Sequence, residues 1–131
     1  MNITKYLKDL IDEFLDTYNY KYNVKIGFDK TIIDFKNLNN FPLIVVEDIK
    51  MNLDPNYIGK INGSLDFSVM FFIYSSNENG YSEIEETFIV DFNTFLLTKN
   101  EITINDLLFD TDNDNVYLVN YSLTNHNFEL I

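Results

Sequence analysis

Hydrophobic residues along this chain switch between two periods. Ile3, Leu7, Leu10 and Phe14 recur at intervals of three and four, joined by Tyr6, Ile11, Leu15 and Tyr18. Lys5, Lys8, Asp9, Asp12, Glu13 and Asp16 fill the opposite side. This spacing predicts an amphipathic helix over 3–18, with a stripe wide enough to face a core. From residue 20 the period falls to two. Tyr20, Tyr22, Val24, Ile26 and Phe28 alternate with Lys21, Asn23, Lys25 and Gly27, which predicts a half-buried strand over 20–28. A short strand is expected at 31–35, then a loop at NLNNFP. Pro42 opens LIVVEDI, a strand apolar on both sides at Leu43–Val46; proline is tolerated at a strand's first residue.

MNLDPNYIGKING, residues 51–63, contains Pro55, Gly59 and Gly63 and reads as a long connection. The strand after it changes character along its length. Leu65, Phe67, Val69, Phe71 and Ile73 alternate onto one side. The other side starts polar at Asp66 and Ser68, then turns apolar at Met70, Phe72 and Tyr74. That second apolar side needs a cover, because large contiguous apolar patches rarely stay exposed on monomers. A helix of the same chain or another subunit could supply it.

A second helix is predicted over about 82–98. Ser82 and Glu85 have capping-box spacing, and Ile84, Phe88, Phe92, Phe95 and Leu96 recur at helical intervals, widened by Ile89, Val90 and Leu97. Residues 104–109 read as a helical turn and DTDNDN as a polar loop. VYLVNYSL, 116–123, reads as a strand, with TNHN as a turn into a short final strand, FELI. The order α, β, β, long loop, β, α, β, β shows no regular βαβ repetition and no inter-domain linker. It predicts one α+β domain over 1–131, a mainly antiparallel sheet with both helices packed on it.

Composition narrows the possible roles. A chain of 131 residues suits one core, and 12 Phe with 9 Tyr supply its bulk. The abundance of Asn, Ile and Lys follows A/T-rich codons and is not itself a functional signal. With Cys 0, disulfide and thiolate chemistry are excluded. The net charge is −12 and the 9 basic residues are all lysines, so no basic stripe tracks a phosphate backbone. Sequence-specific nucleic-acid binding and attraction to an anionic membrane are not expected. MNITKYLKDLIDEF is charged throughout, unlike a signal peptide, and no apolar run approaches the roughly 20 residues of a membrane helix. A cytoplasmic site of synthesis is expected.

Candidate chemistry is sparse. Asp110, Asp112 and Asp114 match the first, third and fifth positions of a calcium loop. Asn115 stands where that loop needs Gly, and Tyr121 where it needs a bidentate Glu, so a solvated turn is the expected reading. His126 is the single His and is expected to be exposed in a turn. Glu83, Glu85 and Glu86 suit the positive end of the second helix. GxGxxG, P-loop, HExxH and GxSxG patterns do not occur. No catalytic, cofactor or metal site is expected.

Taken in order, the amphipathic helix, the early strand, FPLIVVED, the long loop, LDFSVMFFIYS, the helix starting SEIEETFIVDF and the closing strands give a layout that resembles the tail-terminator and tail-completion proteins of bacteriophages. The resemblance spans nearly the whole chain and is one of layout. It implies an α+β subunit of a ring, commonly a hexamer, that stops tail-tube growth and joins the tail to the head connector. It implies a virion protein assembled in the host cytoplasm, with tail-tube and head-connector proteins as partners. Met70, Phe72 and Tyr74, with Pro55 and Tyr57 of the long loop, are the expected subunit contacts. The competing expectation is an acidic binding protein, a nuclease inhibitor or mimic of DNA charge, acting on a basic partner. A small enzyme using carboxylates alone is the third.

Overall fold

The structure is a computed structural model that describes residues 2–27, 42–54, 62–74, 83–113 and 116–129. Helix α1 (Ile3–Tyr18) starts where the side chain of Asn2 accepts a 3.0 Å hydrogen bond from the Lys5 amide. It stops at Asn19, which takes a left-handed conformation at φ 59°, one that Asn tolerates. Leu7, Leu10, Ile11 and Phe14 are its buried face. The predicted helix thus has the observed bounds.

The remaining elements are β1 (Asn23–Ile26), β2 (Leu43–Leu53), β3 (Asn62–Tyr74), α2 (Glu83–Leu97), β4 (Ile102–Asn113) and β5 (Val116–Glu129). The five strands form one sheet in the order β1-β2-β3-β5-β4. Three neighbouring pairs are antiparallel, but β1 runs parallel to β2. The class is α+β with a mixed sheet, not a purely antiparallel one. The strand expected at 31–35 and Ser82 of the capping box lie outside the described residues.

Both helices pack on the same sheet face. Leu7, Ile11 and Phe14 of α1 and Phe88, Phe92, Phe95 and Leu96 of α2 share one core with Ile44, Val46, Leu65, Phe67, Val69, Phe71, Val119, Tyr121 and Leu123. Phe14 sits among the rings of Phe88, Phe92 and Phe95 at 5.3, 4.9 and 5.5 Å. Polar ties fix the helices to β5. Asn93 donates to the Tyr121 hydroxyl at 2.9 Å, and Asn125 donates to the Tyr6 hydroxyl at 2.8 Å. Each satisfies a phenolic oxygen that would be costly to bury alone. Val90 and Leu97, expected to widen the buried stripe of α2, instead point outward at 62% and 78% exposure.

Bulges shape the other departures from expectation. Residues 104–109 are strand, not a helical turn. One extra residue in β4, between Ile104 opposite Leu123 and Asp106 opposite Ser122, breaks the alternation. Ile104 and Leu107 therefore reach the same core from positions three apart, a spacing that mimics a helix. Asp110 and Asp112 likewise lie inside β4 rather than in a loop. TNHN bends β5 without ending it: the Asn125 side chain accepts from the Asn127 amide at 3.0 Å, where β5 gains a residue against Gly63 and Leu65. In β2 the extra residue falls between Glu47 and Lys50, with Asp48 at φ 55°, and lets both Ile49 and Met51 approach the core.

Candidate assembly surface

The sheet face away from the helices has two unlike ends. At one end Leu43 lies opposite Phe72 and Val45 opposite Met70, forming a small apolar cluster with Leu118 against it. Phe72 is 2% and Met70 8% exposed, and Leu43 and Val45 are fully buried. This cluster is covered within a single copy of the chain, and neither α1 nor α2 belongs to it. Phe72 and Met70 consequently offer almost no surface of their own to a neighbour. Tyr74 ends β3 opposite Val116. Pro55 and Tyr57 lie outside the described residues.

The other end is polar and tightly bonded. Asn105 of β4 donates to the Thr124 hydroxyl of β5 at 2.7 Å. Thr124 donates to Asp66 of β3 at 2.6 Å, and Asn52 of β2 donates to the second Asp66 oxygen at 2.8 Å. One line of hydrogen bonds therefore crosses four strands. A carboxylate that accepts at both oxygens acts as a structural acceptor, and this placement explains why Asp66 breaks the apolar pattern of its strand.

His126 is exposed on β5, its Nε2 2.6 Å from the Thr103 hydroxyl. It borders a cleft shared with Asp54, Asn62, Gly63 and Glu129. Among the described residues, no group of three or more His, Asp or Glu could hold a metal ion. Asp110 and Asp112 follow the extended backbone of β4, which does not wrap a cation as a calcium loop does. Asp114 lies outside the described residues. Among those residues no helix is long and apolar enough to cross a membrane.

Among the described residues, the exposed large apolar side chains of the sheet are Leu53, at the end of β2, and Leu108 and Phe109 of β4. Among the described residues β4 is the outermost strand, beyond β5. Its adjacent residues Leu108 and Phe109 are each 55% exposed and occupy opposite faces. Phe109 pairs with Val119 on the helix side, and Leu108 pairs with Asn120 on the other. The sequence reading missed them because the bulge disguised this strand as a helical turn.

Charge is distributed unevenly over the same sheet. Residues 1–50 hold seven of the lysines and eight of the acids, while residues 51–131 hold two lysines and thirteen acids. Among the described residues, β1 carries Lys25, while β4 at the other edge carries Asp106, Asp110 and Asp112. A scan against protein-family models and a search of curated proteins found no match to this chain.

Proposed function

We propose that this chain is a non-enzymatic structural protein of a bacteriophage head–tail interface. Copies of it form a ring that terminates or completes the tail and joins it to the head. The observation that carries the reading is β4, a 12-residue outermost strand with Leu108 and Phe109 exposed on its two faces. A long edge strand bearing accessible apolar residues is a template for pairing with another chain. The layout of helices and strands along the sequence adds to it. In this reading β4 supplies subunit contact, while the cluster around Phe72 and Met70 stiffens the sheet behind it. The segment holding Pro55 and Tyr57, and Tyr74 at the far end of β3, are further contacts with a neighbour or the tail tube in this reading. Tail-tube and head-connector proteins are the partners, met in the host cytoplasm and kept in the virion.

Light scattering and negative-stain microscopy of the purified chain, alone and with its tail-tube protein, test this. A ring of defined stoichiometry is expected. A strict monomer under both conditions overturns the reading.

The excess of acids in residues 51–131 favours a second reading, an acidic inhibitor that engages a basic partner such as a nuclease. Stoichiometric co-purification with such an enzyme and loss of its activity would select that reading instead.

A further inference from the structure

We propose that copies of this chain join head to tail, the β4 edge of one against the β1 edge of the next, with Asp106 and Asp110 facing Lys25 and Lys21. This rests on the self-assembly proposed above and adds which two surfaces meet and why.

The two edges are complementary by position. Along 20–26, Lys21, Asn23 and Lys25 are exposed, while Tyr20, Tyr22, Val24 and Ile26 pack toward the core. The two lysines therefore share the face away from the helices. On β4, Asp106 pairs with Ser122, Leu108 with Asn120 and Asp110 with Leu118, so both carboxylates share that face too. Each pair of like charges is four residues apart, about 13 Å along an extended strand. Two ammonium groups thus match two carboxylates.

An antiparallel alignment pairs Lys25 with Asp106 and Lys21 with Asp110. It sets Tyr22 beside Phe109 and Val24 beside Leu107 on the helix side. The Tyr22 ring is already held in place, stacked on Phe88 at 5.2 Å and 7°. The exposed ring of Phe109 would then gain an aromatic neighbour.

The same charges select against the alternatives. A two-fold contact between two β4 edges would bring four carboxylates together, and one between two β1 edges would gather four lysines. Like charges directly opposite destabilise strand pairing. Only the contact between unlike edges satisfies both, and a contact of that kind generates rings when the rotation closes. Its ionic part weakens as salt rises.

The test is a charge exchange. Lys21→Asp/Lys25→Asp and Asp106→Lys/Asp110→Lys are each expected to leave circular dichroism unchanged and to lose assembly at least tenfold in concentration. Mixing the two variants is expected to restore particles in which they alternate, because both junctions then pair unlike charges. Since the chain has no cysteine, Asn23→Cys and Leu108→Cys can be mixed as single-thiol variants, with a disulfide-linked pair expected. Wild-type rings with both charge variants still assembling overturn this contact and leave ring formation standing. A wild-type chain that does not assemble, together with no disulfide-linked pair from the mixed cysteine variants, overturns both.

Discussion

Tyr20 and Asp91 stand 71 positions apart and meet through a 2.7 Å hydrogen bond, the phenol donating to the carboxylate. The bond ties the segment leading into β1 to the middle of α2. Burial first, and then the hydrogen bond to Asp91, push the Tyr20 phenol well above its usual value of 10.0. The native state therefore favours the protonated phenol. That contribution is fully present below pH 10 and is lost as pH rises through the elevated native value. Tyr20→Phe is expected to lower stability by about 1.5 kcal/mol at pH 7. It should also flatten the decline in stability above pH 10. Urea unfolding at pH 7 and at alkaline pH measures both effects, and an unchanged alkaline slope would remove Tyr20 as its source.

The two sides of α2 should respond very differently to truncation. Phe92 meets the rings of Phe14, Phe71 and Tyr121 edge-on at 4.9, 4.9 and 4.8 Å. Phe92→Ala opens a cavity where no neighbour can collapse fully and should cost about 3–5 kcal/mol. Leu97→Ala removes an exposed side chain and should change stability by less than about 0.5 kcal/mol. Denaturant midpoints of the two variants make the comparison.

Two aspartate substitutions on the sheet face away from the helices separate core from contact surface. Phe72→Asp buries a charge in a site 2% exposed and should cost several kcal/mol, enough to unfold a marginal domain. Leu108→Asp, at a site 55% exposed, should leave the fold intact and weaken self-association. Near-ultraviolet circular dichroism reads folding and sedimentation reads association. A well-folded Phe72→Asp chain would show that this side chain is not core.

The bulge in β4 gives a deletion test. Removing Asn105 leaves Ile104, Asp106 and Leu107 in strict alternation, so Ile104 and Leu107 both keep the core face. The deletion is therefore expected to preserve the fold and to cost only the hydrogen bond that Asn105 donates to Thr124, about 1 kcal/mol. A loss of more than about 3 kcal/mol, read by urea unfolding, would mean that the bulge itself holds β4 in place.

Local periodicity was legible wherever the backbone was regular. The stripe of Leu7, Leu10, Ile11 and Phe14 predicts α1; the Asn2 side chain caps its start, and Asn19 ends it with a left-handed backbone whose N–H donates to the Leu15 carbonyl. The alternation from Tyr20 to Ile26 marks the approach to β1 and the strand itself. β4 was illegible because one extra residue turned a period of two into a spacing of three. TNHN was misread for a related reason: Asn125 bonds the amide two residues on, which can end a strand or merely bend it. Leu108 and Phe109 were missed along with the strand that carries them.

The sequence by itself determined the helix α1, the balance of class, the acidic charge and the existence of a second apolar side on β3. Tertiary structure decided the parallel pairing of β1 with β2, the gathering of both helices on one face, and the burial of Phe72 and Met70 within the chain. Periodicity is a property of consecutive residues, whose side chains point in directions set by the local backbone. Which face is covered, and which edge is left outermost, depends on contacts between residues as distant as Tyr20 and Asp91, and those form only when the whole sheet closes on its core.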